Sequence, residues 1–102
     1  MKTYPFPGPA FYDTIFTGLV PCKLLRVKGR DATVRFTEDR GPYKKGATDT
    51  VWIHDIVPRG AVKATPLGQA RITPYKWEGT PDGVHNPDHQ LINLREGDNV
   101  PE

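Results

Sequence analysis

LLRVKGRDATVRF, residues 24–36, decides how this chain folds. Apolar residues and cations take turns along it, and Lys28-Gly29-Arg30-Asp31 forms a corner in the middle. After the corner, Val34 and Phe36 point one way while Thr33, Arg35 and Thr37 point the other, the period of two that marks a half-buried strand. Before it, Leu24-Leu25 interrupts strict alternation and predicts a bulge or strong coiling. The stretch therefore reads as a hairpin, with strands over 19–27 and 32–37 and a turn over 28–31. Its apolar side chains face a core. Its cations face outward, where they either keep a sheet soluble or hold a ligand.

Working outward, residues 38–50 (EDRGPYKKGATDT) form a polar loop punctuated by Gly41-Pro42 and Gly46. In TVWIHDIVPR, residues 50–59, Val51 and Ile53 are expected to face the core and Trp52 the solvent. A tight turn follows, with Ile56 and Val57 as apolar plugs before a short closing strand. Asp55 is expected to cap that turn, since Asp accepts hydrogen bonds from backbone N–H groups two residues on. QARITPYKW, residues 69–77, reads as an added strand with Ala70, Ile72 and Pro74 on one face. Beyond Gly79 the chain is polar except for QLINL, residues 90–94, expected to dock back as a short strand or turn. Upstream, residues 1–17 mix Tyr4, Phe6, Phe11, Tyr12 and Phe16 with Pro5, Pro7, Gly8 and Pro9. They read as an extended arm whose rings cover a core, with a short helical turn around 9–15 because Pro suits a first helical position.

Composition agrees with this outline. In 102 residues there are 11 Pro and 10 Gly, both of which disfavour helix interiors, so a loop-rich, mainly β domain is expected. A chain this size supports one modest core. Cys22 is alone, so no internal disulfide forms, and it reads as a small buried apolar residue. The proline-broken N-terminus does not resemble a secretory signal, and no apolar run approaches the roughly 20 residues of a membrane span. A cytoplasmic protein without membrane association is expected, a virus or mobile element being one context for so small a chain. Charge is unevenly spread. Residues 21–63 hold ten Lys or Arg against five Asp or Glu, whereas residues 77–102 hold one against six.

The hairpin, the basic loop and TVWIHDIVPR together resemble the SH3-like small barrels, especially the Tudor and KOW-type modules. In these a strand–loop–strand unit ends in a turn of the hxxxDIxP kind, matched here by Val51, Asp55, Ile56 and Pro58. The resemblance covers residues 18–60 and implies a fold and a habit of binding, with no particular ligand. The Tudor ring cage for methylated side chains would draw on Tyr43 and Trp52 within that span. The fold expected is thus a mainly β, SH3-like small barrel over 18–77, with an aromatic, proline-rich arm over 1–17 and an irregular acidic extension over 78–102.

Two kinds of binding chemistry suit these residues. Arg35 and Trp52, outward on neighbouring strands, with Lys28, Arg30, Arg40, Lys44 and Lys45 nearby, make a platform for nucleic acid or another polyanion. Cations track phosphates and a ring stacks a base. The same cations are also what a solvated strand uses to block edge pairing. Alternatively, Tyr4, Phe6, Phe11, Tyr12 and Trp77 form a protein-interaction surface of an assembly or inhibitor protein, because rings bury much area at small entropic cost. An acidic protein surface is a further partner for the cations. His85, Asp88 and His89 include metal-ligand types, but Pro87 breaks the helical spacing, and they read as an exposed turn. His54-Asp55 has no readable nucleophile beside it, and no phosphate-cradling glycine loop is visible. No enzymatic activity, metal or cofactor is expected.

Overall fold

The computed structural model describes residues 2–78, 85–86 and 90–93. Among the described residues eleven strands run in chain order: β1 (Lys2–Tyr4), β2 (Gly8–Thr14), β3 (Gly18–Lys28), β4 (Asp31–Phe36), β5 (Thr48–Trp52), β6 (Ile56–Pro58), β7 (Val62–Ala64), β8 (Gln69–Ile72), β9 (Tyr75–Trp77), β10 (His85–Asn86) and β11 (Gln90–Asn93). One-turn 3-10 helices, Ile53–Asp55 and Arg59–Ala61, flank β6, and there is no α-helix among the described residues. No helix of these residues is long and apolar enough to cross a membrane.

The principal sheet is antiparallel, in the order β5-β4-β3-β2-β6. It is open, for no ladder joins β5 to β6 among the described residues. The hairpin expected over 19–37 is β3 and β4, turning at Gly29, whose φ of 62° suits a residue without a Cβ. The bulge falls where Leu24-Leu25 breaks the alternation. Leu24 faces Val34, the next registered pair is Arg26 with Thr33, and Leu25 is the extra residue. Because side chains alternate, that one insertion reverses the parity of everything after it. Leu24 therefore points into the core, while Lys23, Arg26 and Lys28 all stay exposed. Val34, Phe36 and Ile53 are buried and Arg35 and Trp52 exposed, as their alternation requires.

Residues 8–14 overturn the reading of the first 17 residues as an arm with a helical turn at 9–15. They form β2, an inner strand of the main sheet, paired along its whole length with β3 and at Ala10, Phe11 and Tyr12 with β6. Each strand proline sits where a ladder is missing on one side. Pro9 precedes the β6 pairing, Pro21 precedes the β4 pairing, and Pro58 lies on the edge strand β6. Gly8 is required for a different reason: a Cβ there would collide with the Pro5 carbonyl oxygen.

Two three-stranded sheets complete the structure, β11-β8-β7 and β1-β9-β10. The strand expected over 69–77 is broken at Thr73-Pro74 into β8 and β9, which belong to different sheets, and Ala70 and Ile72 are buried as anticipated. Gln90–Asn93 of QLINL dock back, as β11 against β8, and Leu94 lies outside the described residues. The small sheets are tied to the main one by specific bonds. Thr73 donates from its N–H and hydroxyl to the Ala61 carbonyl at 2.8 and 3.1 Å, and the buried Tyr75 hydroxyl donates to the Ile56 carbonyl at 3.2 Å. One core results, from Ala10 and Phe11 through Leu19, Leu24 and Val34 to Ile72 and Trp77. Fully burying a side chain such as Leu24 contributes about 1.5–3 kcal/mol.

Candidate functional site: a basic sheet face and the cavity at its end

The outward face of β3, β4 and β5 is a grid of three rows. Lys23, Arg35 and Thr48 form the first, Arg26, Thr33 and Thr50 the second, and Lys28, Asp31 and Trp52 the third. In the first row two cations stand directly opposite one another. Like charges so placed destabilise a sheet, and among the described residues neither has an acidic partner. Arg26 beside them and Arg30 in the turn are likewise exposed. The Arg30 carbonyl accepts the Ile53 N–H at 2.8 Å, which anchors the turn to the chain leaving β5.

This grid corrects the expected neighbourhood of Arg35 and Trp52. Both face outward, but Trp52 is opposite Asp31, four residues from Arg35 along β4, or about 13 Å at the usual rise. The Trp52 ring lies edge-on to His54 at 4.6 Å. Of the loop cations, Arg40 is committed: it pairs with Glu38 at 3.1 Å and exchanges backbone bonds with Tyr43, while the backbone N–H of Lys45 donates to the Asp39 carboxylate at 2.8 Å. Lys44 and Lys45 are exposed.

One cation that sequence reading passed over completes the track. Arg59 follows β6 in a one-turn 3-10 helix, and its side chain reaches back across three strands. Its Nε donates to the Ala10 carbonyl at 3.2 Å and its Nη2 to the Thr37 hydroxyl at 3.0 Å, with the Cys22 carbonyl 3.5 Å away. The guanidinium lies 5.3 Å from the centre of the Phe11 ring, a favourable cation–π placement. Arg59, Lys23, Thr37, Pro9, Cys22 and Glu38 line a cavity of about 360 Å³. The Cys22 thiol is pushed up to about 12 by burial, against the pull of Arg59, so it is protonated and unreactive near neutrality. Nothing in the VPR tripeptide marks Arg59 as special, because its partners lie 22 to 49 residues away.

The expected ring surface is largely internal. Phe11 and Trp77 are each only 1% exposed, packed in the core and with no area to offer a partner. Tyr4 and Phe6 are half-buried, and the Tyr4 ring packs so closely on Gly60 that a Cβ there would approach it to 2.7 Å. Tyr12 joins Phe36 and Tyr43 in a ring cluster, with centroids 6.4 and 5.6 Å from its own. Trp52 is no part of this cluster. The apolar side chains that do reach solvent at this end are Ile15 and Phe16, 81% and 90% exposed at the β2–β3 turn.

Beside that turn lies a second cavity of about 380 Å³, lined by Tyr12, Asp13, Phe16, Tyr43 and Asp55 among others. Burial raises the Asp13 carboxyl, and repulsion from Asp55 raises it further; burial also raises Asp55, partly offset by His54. Asp55 does not cap its turn as expected. The Ile56 N–H closes the 3-10 helix on the Ile53 carbonyl, and the Asp55 carboxylate makes no hydrogen bond among the described residues. Of the metal-ligand types considered in the sequence, Asp88 and His89 lie outside the described residues, as does the acidic segment over 94–102. Comparison with protein-family models, curated proteins and solved structures finds no match for this chain.

Proposed function

We propose that this chain is a non-enzymatic binding module that holds a polyanion, nucleic acid in the first instance, on the outward face of β3 and β4. The observation that carries this reading is the Lys23–Arg35 pair, two cations opposed across a ladder at a cost to stability and without an acid between them. A ligand phosphate removes that repulsion. Arg26 and Lys28, held outward by the bulge at Leu25, extend the charge along the strand, and Arg59 extends it past Lys23. A meander of four strands followed by a 3-10 turn and a short strand returning to the first supports reading the module as SH3-like in strand order, with a main sheet that stays open where a barrel would close.

The test is fluorescence anisotropy with a labelled single-stranded 12-mer across a salt series. Four contacted phosphates give a log–log salt slope of about −3. The double reversal Lys23→Glu/Arg35→Glu is expected to abolish binding while leaving the circular dichroism spectrum unchanged, since both side chains are exposed. Binding that ignores both salt and the double reversal overturns the reading.

A second reading, contact with a protein partner, is favoured by Ile15 and Phe16, whose exposure has no structural benefit. Ile15→Ser/Phe16→Ser is expected to raise solubility and remove that contact without weakening the 12-mer complex.

A further inference from the structure

We infer that the cavity beneath Arg59 is a receptor for one phosphate group, the anchoring point of the polyanion on the basic face; this inference rests on the polyanion reading. Arg59 is half-buried, and among the described residues it has no acidic partner. A charge withdrawn from water without a counter-ion is costly unless something compensates it, and here two carbonyls and a hydroxyl do so only in part.

The bonds already made dictate what remains for a ligand. A guanidinium carries five donors. Nε uses one and Nη2 is directed at the other two oxygens, which leaves both Nη1 hydrogens without a protein partner among the described residues. The Thr37 hydroxyl accepts from Arg59, so its own hydrogen is free to donate elsewhere. Lys23 lines the same cavity and adds an ammonium group. Nη1, the Thr37 hydroxyl and Lys23 are donors, and a phosphate group offers strong acceptor oxygens to meet them, three in a terminal phosphate and two in an internal diester. The one acid on the cavity wall, Glu38, is already engaged by Arg40 at 3.1 Å. The Phe11 ring and the Ala10 and Thr37 oxygens hold the guanidinium in place before any ligand arrives, so little ordering entropy opposes binding. About 360 Å³ exceeds what one phosphate fills and leaves room for the attached sugar.

The experiment is an NMR titration of the full chain at low salt, following backbone amides and the Arg59 Nε–H. Its three arms use inorganic phosphate, a 12-mer with a 5′-phosphate and the same 12-mer without it. Saturable shifts at Arg59, Thr37, Lys23 and Cys22 are expected with phosphate. A tenfold tighter complex for the phosphorylated 12-mer assigns the site to a strand end; equal affinity assigns it to an internal phosphate. Lys23→Gln, at an exposed position, is expected to weaken phosphate binding at least threefold with the fold intact. Arg59→Lys keeps the charge but loses the fork, and is expected to weaken it more. Phosphate shifts that are absent, or spread over surface cations without saturation, overturn the subsite. If the 12-mer still binds with a steep salt slope, the polyanion reading survives that failure. Phosphate held at Arg59 by a chain that ignores the 12-mer leaves the subsite standing and removes the polyanion reading.

Discussion

The two ends of the β2–β3 hairpin carry cavities of nearly equal size and opposite chemistry. At one end Arg59, Lys23 and Thr37 surround about 360 Å³; at the other Asp13, Asp55, Tyr12 and Tyr43 surround about 380 Å³. The fold treats the two charges differently. Backbone and hydroxyl oxygens and an aromatic face are turned toward the Arg59 guanidinium. Among the described residues Asp13 has no such donors; burial and the neighbouring Asp55 favour its protonated form instead. A net charge of +2 conceals this division entirely. The difference between a prepared charge and a tolerated one separates a recognition surface from a merely polar one.

The most severe way to break the contrast is to insert one alanine between Thr33 and Val34. Leu25 then gains a partner on β4, the bulge closes, and Arg26 turns toward the core with Val27 outward, while the Asp13–Asp55 end keeps its local sequence. Burying an unpaired cation is expected to destabilise the domain by at least about 3 kcal/mol, visible as a collapse of the melting temperature. Leu25→Ala keeps the register and is expected to melt near the parent. An insertion variant as stable as the parent would show that the bulge does not set the parity of the face.

A smaller effect tests the acidic end. Asp13 has a folded-state pKa above its unfolded value, so between the two values the native state holds more protons than the unfolded state. Stability contributed by this group is therefore present at low pH and lost as pH rises through the carboxylate range. Asp13→Asn, which cannot ionise, is expected to raise Tm at pH 7, with the gap closing as the pH falls below about 4. A destabilised variant at pH 7 would mean that the carboxylate has a stabilising donor, and the contrast with Arg59 would disappear.

The smallest expected effect concerns Trp52. It sits four positions along β4 from the Lys23–Arg35 row, so only a ligand long enough to span that separation engages both. Trp52→Ala is expected to weaken a 12-mer about fivefold, the loss of one modest stacking contact, and to leave a trinucleotide unaffected. Equal losses for both lengths would place the ring in the same contact as the cations and redraw the basic end.

How much of this was legible depends on how far apart the participants lie. Val34, Phe36 and Ile53 inward, Arg35 and Trp52 outward, and the irregularity at Leu24-Leu25 all follow from neighbours within one hairpin, because the pleat repeats every two residues. Residues 8–14 read as an arm with a helical turn because Pro9 suits a first helical position, whereas their place as an inner strand depends on pairing with β3 and β6, the latter more than 40 residues away. Phe11 and Trp77 looked like contact residues and are core, since a ring in a loop-rich segment carries no mark of what will cover it.

The sequence by itself determined a mainly β chain, the β3–β4 hairpin with its turn and bulge, and cations that cannot face the core. Only the tertiary structure decided which cations stand together. Lys23 meets Arg35 across a ladder whose register the bulge sets, and Arg59 finds Ala10 from 49 residues away. It also set Asp13 beside Asp55, although each lies in an ordinary polar stretch. Alternation is a local property of the backbone and can be read along the chain. The meeting of distant side chains is a consequence of how strands pack, and no spacing in the chain encodes it.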